Sequence, residues 1–268
     1  MNVFLEFAGF FGFILVPGYL LPAGLNYWFY HVRDFEHKDQ LRLQDRLPTR
    51  RQIAREVKLS LLTIAIFAAG STALLHLYRA GYTNVYFKLG SYFIGYFFVS
   101  VFLAVVLLDT YFYWTHRFMH WRPVFKYMHL GHHRSVNPTP WSIYAFQPLE
   151  AVVQFLGVGL IVAILPMHPL AILLFLFLDT QMNTGGHTGF EIVPRSISRQ
   201  RWFQGFNTVA HHDAHHTNMH RNFGAFFNVW DRWMGTFLDS QAPTVDEDNP
   251  APTVGDGSQA DADDRRVA

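Results

Sequence analysis

The stretch SYFIGYFFVSVFLAVVLLDTYFYWTHRFMH, residues 91–120, is almost entirely apolar until it ends on two histidines four positions apart. Ser91 to about Trp114 is close to the roughly 20 residues an α-helix needs to cross a bilayer. On a continued helix His116 and His120 project from one face, with Cβ atoms about 6 Å apart. A membrane helix that delivers imidazoles to its own end is the pattern to explain.

Other stretches share the apolar character. One runs from about Val3 to Tyr30, interrupted by Pro17 and Pro22, and another from about Val57 to Tyr78. A fourth, PLEAVVQFLGVGLIVAIL followed by LAILLFLFLDTQMNTGGH, is broken by Pro166 and Pro169. It is expected to form a hairpin that enters the membrane and returns. Charge sets the orientation. Residues 31–58 hold Arg33, Lys38, Arg42, Arg46, Arg50, Arg51, Arg55 and Lys58, whereas the connection after Tyr78 holds only Arg79 and Lys88. The positive-inside rule puts 31–58 in the cytoplasm, so the third span emerges there near His116. A hairpin over 148–187 returns the chain to that same side. The fold expected is an all-α, multi-pass membrane helical bundle of three spans plus a hairpin, with a cytoplasmic helical cap. Three regions are expected: spans and a basic loop over 1–108, a catalytic domain over 109–240, and a disordered acidic tail over 241–268.

Composition agrees. Half of the 268 residues are hydrophobic, with 27 Phe, 12 Tyr and 7 Trp, and only 15% are charged, against roughly 25% in soluble domains. Lipid is therefore part of the solvent. A net charge of +1 leaves no basic excess for nucleic acid. The opening MNVFLEFAGF lacks the basic n-region of a secretory signal and reads as a retained membrane segment. Gly157 and Gly159 lie in an apolar helix with no preceding strand, so they form no dinucleotide loop. The chain has no cysteine, so any metal must sit on nitrogen and oxygen ligands.

Ten of the 15 histidines fall within 116–133 and 211–220. His129, His132 and His133 form H-x-x-H-H, as do His212, His215 and His216. On a helix the last two of each set differ by about 100° in direction. One helix can therefore offer an imidazole to each of two neighbouring ions. Asn183 and His187 are again i, i+4 at the returning end of the hairpin. Nine histidines and one amide suffice for two ions with four or five ligands each, although helix C-capping competes for Asn183. His211 is i, i+4 to His215 and competes with His212; His220 is equally ambiguous. His31, His37, His76 and His168 are expected to be ordinary packed or surface residues. An imidazole-rich site suits iron, zinc, copper or nickel. Two adjacent ions fit either hydrolytic water activation or dioxygen chemistry. A lipid hydrocarbon at the membrane face favours an iron–oxygen oxidant, because its C–H bonds do not yield to acids or bases.

The segments HRFMH, HLGHH and HHDAHH, with the ending NFGAFFNVWDRWMGTF, resemble the histidine boxes and closing signature of the fatty acid hydroxylase / sterol desaturase superfamily. The resemblance covers about 109–238. It implies a non-haem di-iron oxidoreductase that hydroxylates or desaturates a lipid such as a sterol or fatty acyl chain, using dioxygen and two electrons. It carries ligand roles to His116, His120, His129, His132, His133, His212, His215 and His216. His187 fills one position between the second and third boxes, and Asn183 occupies its partner, where it would coordinate through water. Asp109, two turns before His116, and Asp179, one turn before Asn183, are expected to support the ligands by accepting hydrogen bonds. Asp213 and Asp231 lie close enough in sequence to consider, and Arg117, Arg122 and Lys126 suit headgroups, a donor or simple positive-inside bias. Without a haem, flavin or iron–sulfur module, the electron donor must be external: a cytochrome, ferredoxin or reductase. The rivals are a membrane-bound zinc-dependent lipid hydrolase and a metal transporter, the latter disfavoured by spans nearly free of polar residues.

Overall fold

The computed structural model describes residues 2–44 and 46–240; the expected acidic tail lies outside them. The described chain is helical, with two isolated β-bridges, Arg42–Phe190 and Phe206–Phe227. Three helices are long and apolar enough to cross a membrane: Val3–Val32, Arg50–Arg79 and Ile94–Met119.

The first span joins α1 (Val3–Leu15) to α2 (Leu21–Tyr27) through a π-helical turn at Val16–Leu20, and a second π-turn at Trp28–Val32 ends it. Pro17 explains the first turn, since proline removes a backbone donor and clashes with the preceding turn. Tyr19 on this turn is fully buried and donates its hydroxyl to Trp141 O at 2.9 Å. A short α3 (Lys38–Leu41) follows, then α4 (Arg50–Arg79), begun by Thr49, whose hydroxyl accepts from Gln52 N. The helix begins seven residues before the expected apolar segment. The basic run 50–58 is therefore its first turns rather than loop, an extension that apolarity alone does not reveal.

The span α5 (Ile94–Met119) is unbroken through residue 109, so the expected domain boundary falls within one helix. The hairpin consists of α8 (Pro148–Ile164) and α9 (Pro169–Gly186), each with proline in its first turn, where proline's missing N–H costs nothing. His168 caps α9, its Nδ1 accepting from Leu170 N. At the hairpin tip, Asn84 N donates to Ala163 O and Tyr86 N to Met167 O. The tip thus meets the α4–α5 connection, and both arms run the length of the bundle. At the other end gather α6 (Arg122–Met128), α7 (Leu130–His133), α10 (Arg195–Ser198), α11 (Val209–Thr217) and α12 (Val229–Trp233).

Val101, Ala104, Val105 and Leu108 of α5 pack with Ile161, Ala171 and Phe175 of the hairpin to form the main core. Close approach relies on glycine, as is usual between membrane helices. A Cβ on Gly157 would lie 2.5 Å from the Tyr111 ring, and one on Gly70 would lie 2.3 Å from Phe155. Gly157→Val should therefore cost about 1–3 kcal/mol through overpacking. Its thermal unfolding in detergent should occur below that of the wild type, whereas Gly9→Ala, on an open helix face, should unfold no lower than the wild type.

Candidate metal centre

Four pieces of chain deliver the histidines. His116 lies in the last turn of α5 and His120 caps that helix. The first H-x-x-H-H set does not occupy one helix as expected: the chain bends at His129 (φ −128°) between α6 and α7. One helical bond survives, His133 N to His129 O at 3.2 Å, and keeps those rings together. His187 caps α9 and α11 carries His212, His215 and His216.

The nine rings separate into two groups that could each hold a metal ion: His116, His120, His129, His133 and His215, and His132, His187, His212 and His216. Within each group the ligand atoms lie within 4.8 Å of one another. Neighbours in sequence, His132/His133 and His215/His216, divide between the groups.

Hydrogen bonds on the far side of the rings determine what these atoms can do. His116 Nδ1 donates to Phe223 O at 2.8 Å, His215 Nδ1 to Arg221 O at 2.6 Å and His187 Nδ1 to Asn183 O at 2.6 Å. His129 Nδ1 meets Glu150 Oε1 at 2.6 Å. A carbonyl cannot donate, so each ring facing one carries its proton on Nδ1 and presents a bare Nε2; an ionised Glu150 would set His129 the same way. His116 and His129 Nε2 nevertheless lie 2.9 Å apart. With Glu150 ionised, two lone pairs face each other there, an arrangement that a shared cation relieves. The pairs His120–His133, His133–His215, His187–His212 and His212–His216 each stand at 3.1 Å. Nitrogens bound at right angles to one ion at about 2.1 Å would be about 3.0 Å apart. The donor set therefore fits two nitrogen-ligated ions.

Burial keeps these donors neutral. Loss of solvent lowers His133 to about 3 and His187 to about 4. It holds His129, His132, His212, His215 and His216 well below the usual imidazole value, and neighbouring rings add to the effect. At neutral pH the lone pairs are available without displacing a proton.

The closing segment is the clamp behind the first group. Asp231, fully buried, accepts from Phe223 N, Gly224 N and the Thr236 hydroxyl. Gly224 admits no side chain, since a Cβ would meet Phe227 O at 2.2 Å. Asp109 corrects an expectation: it reaches no ring, and its Oδ1 accepts from Phe226 N at 2.7 Å and Phe227 N at 3.1 Å. It ties the closing segment to α5, where Phe223 O meets His116. Asp179 does accept the Asn183 side-chain amide, at 3.0 Å, while Asn183 O holds His187. Asp213 accepts from Gln44 and lies outside both groups.

His211 also lies outside, its Nδ1 accepting from Thr208 N, so His212 takes the position the two contested. His220 and His37 are exposed; His31 donates to Thr188 O, and His76 pairs with Glu6. Sequence reasoning missed Glu150. The signal was a lone acid near the start of an apolar helix, the criterion already applied to Asp109 and Asp179.

Two all-histidine groups, fixed from behind by carbonyls and one carboxyl group, lie at the end of a bundle of membrane-capable helices; each could hold a metal ion, and their donor set suits redox metals. Residues 101–236 match the fatty acid hydroxylase family. Human lathosterol oxidase is 31% identical over 222 residues, covering 82% of this chain and 70% of that protein. A Delta(7)-sterol 5(6)-desaturase of Schizosaccharomyces pombe is 30% identical over 234 residues, 86% of this chain and 72% of that enzyme. One from Gibberella zeae is 28% identical over 219 residues, 81% of this chain and 64% of that enzyme. No solved structure matches the chain. The chain belongs to the fatty acid hydroxylase family and is a membrane lipid oxidoreductase. None of these relatives is a hydrolase.

Glu150→Ala leaves His129 Nδ1 buried without its partner. Metal affinity is expected to fall about 10- to 100-fold with helicity retained, as metal titration and circular dichroism of detergent-purified protein would report.

Proposed function

We propose that the chain is a di-iron enzyme that uses dioxygen and external electrons to oxidise a sterol-class lipid, with its centre on the cytoplasmic face. Two groups of buried histidines, each with its ligand nitrogens within 4.8 Å of one another and three of the rings holding their protons on Nδ1 against backbone carbonyls, carry the reading. His116, His120, His129, His133 and His215 would hold one iron, and His132, His187, His212 and His216 the other. Asn183 stands beside the second group and would reach it through water. Iron so held activates dioxygen for attack on an unreactive C–H bond. The relatives' names favour a sterol and desaturation over hydroxylation.

The residues position and enclose. Glu150 and the carbonyls of Asn183, Arg221 and Phe223 fix the ring orientations and the nitrogen each ring presents. Phe112 packs on His116 at 4.9 Å between centroids and Phe146 on His132 at 5.7 Å, which excludes water from two sides. No histidine has to move a proton. The cytoplasmic placement rests on the basic start of α4: Arg55 donates to Arg134 O and Gln52 to Asn137 O, at the same end as the histidines. An external cytochrome, ferredoxin or reductase supplies the electrons.

Detergent-purified protein from iron-supplemented cells should hold about two irons per chain. It should convert lathosterol only with oxygen and a reductant present. A variant with both His215→Ala and His216→Ala removes one donor from each group and should lose both the iron and the conversion. Oxygen-independent lipid cleavage by zinc-loaded protein would replace this reading with the hydrolase.

A further inference from the structure

Two cavities lie along α9, the outer one beside the second histidine group. The outer one, about 200 Å³, is lined by His187, His212, Met182, Ile192, Phe203 and Val209 among others. The inner one, about 40 Å³, lies among Phe67, Leu108, Tyr144, Val158 and Asp179. Phe112, Asn183 and Ala225 line both. None of the five histidines of the first group lines either cavity. Along α9, Asp179 faces the inner cavity, Asn183 borders both, and His187 faces the outer one. The track advances one helical turn, about 6 Å, at each step.

We propose that the two cavities are one substrate tunnel, that Phe112, Asn183 and Ala225 form its waist, and that Asp179 receives a substrate hydroxyl at its inner end. The outer mouth is apolar and opens among exposed Met182, Ile192 and Phe206, with exposed Trp202 nearby. A lipid can enter there from the membrane side. The inner cavity is too small for a long hydrocarbon but admits the end of a ring bearing a hydroxyl. Its walls are apolar except for Asp179, Asn183, Tyr144 and Gln154. One Asp179 oxygen holds Asn183, and the other has no partner among the described residues. Charged or neutral, that carboxyl can hydrogen-bond a hydroxyl. A hydroxyl anchored at Asp179 places carbons a few bonds away at the waist, beside His187. The 5(6) bond in the relatives' names begins two bonds from the hydroxyl-bearing carbon of lathosterol. Phe112 and Ala225 then position the reacting carbon and limit substrate width, while Asp179 selects for the hydroxyl. The hydroxyl arm rests on the sterol reading above; the tunnel does not.

The absence of cysteine makes thiol reporters clean. In purified, metal-replete protein, Ala225→Cys at the waist and, separately, Val158→Cys on the inner wall should react with N-ethylmaleimide. Lathosterol should slow both at least about tenfold. Ala151→Cys, buried off the tunnel, should show no lathosterol dependence. The 3-deoxy analogue should protect about tenfold less well than lathosterol, the worth of one buried hydrogen bond. Adding Asp179→Ala should abolish that difference. Protection by palmitic acid but not by lathosterol would retain the tunnel and overturn both the sterol reading and the anchor. Equal protection by lathosterol and its deoxy analogue would overturn the anchor alone. Thiols at both positions that do not react, or that react equally whichever lipid is present, would overturn the tunnel.

Discussion

Bare imidazole nitrogens held face to face make the constraint on which the rest of the structure depends. Desolvated lone pairs brought this close repel, and the fold must hold the rings there by itself. It does so from behind the rings, where backbone carbonyls take three Nδ1 protons and Glu150 orients a fourth ring. The four partners come from three parts of the chain: the α8 start, the α9 end, and the segment after α11. Fixing four rings therefore requires the hairpin and the closing segment to be seated on α5. The glycine contacts between membrane helices and the aspartates of the cap serve the same end. Asp109 and Asp231 touch no ring, yet they set where Phe223 O meets His116.

The division into two groups follows from helical geometry. Adjacent residues on a helix point about 100° apart, so His132/His133 and His215/His216 each straddle the boundary between groups. The bend at His129 adjusts this arrangement without undoing it. A single straight helix over 122–133 would turn His129 with the rest of α6. The break instead sends its ring toward His116 and its Nδ1 toward Glu150.

Much of this was legible in the sequence because its periodicities are local. The spans showed as apolar length, the hairpin as paired prolines, and the histidine sets as i, i+3 and i, i+4 spacings. What was not legible depends on contacts distant in sequence. The partner of Asp109 lies more than a hundred residues away, so two turns of helical spacing to His116 pointed to the wrong acceptor relation. The choice between His211 and His212 depended on Thr208, which engages the former as a local cap. Glu150 differs: its position was visible, but only the fold brings it to His129. The early start of α4 was hidden because arginines favour helix as readily as loop, and hydropathy registers only their charge.

The two histidine groups are not equivalent in their surroundings, and that asymmetry bears on the chemistry. The five-histidine group is backed by Glu150, Phe223 and Arg221 and lines neither of the two cavities. The four-histidine group has one donor fewer and opens through His187 and His212 onto the apolar cavity. Nitrogen-rich, closed surroundings favour holding an ion, whereas a position with fewer protein donors leaves room for oxygen or substrate beside it. Asn183 sits at that opening, one helical turn from His187, with its amide nitrogen turned to Asp179. A histidine there would add a fifth donor and close the position; an amide keeps polarity at the waist without doing so. On the reading proposed above, the departure from a paired-histidine pattern at 183 leaves the second position open, with the lipid approaching through the cavity that the first group does not line.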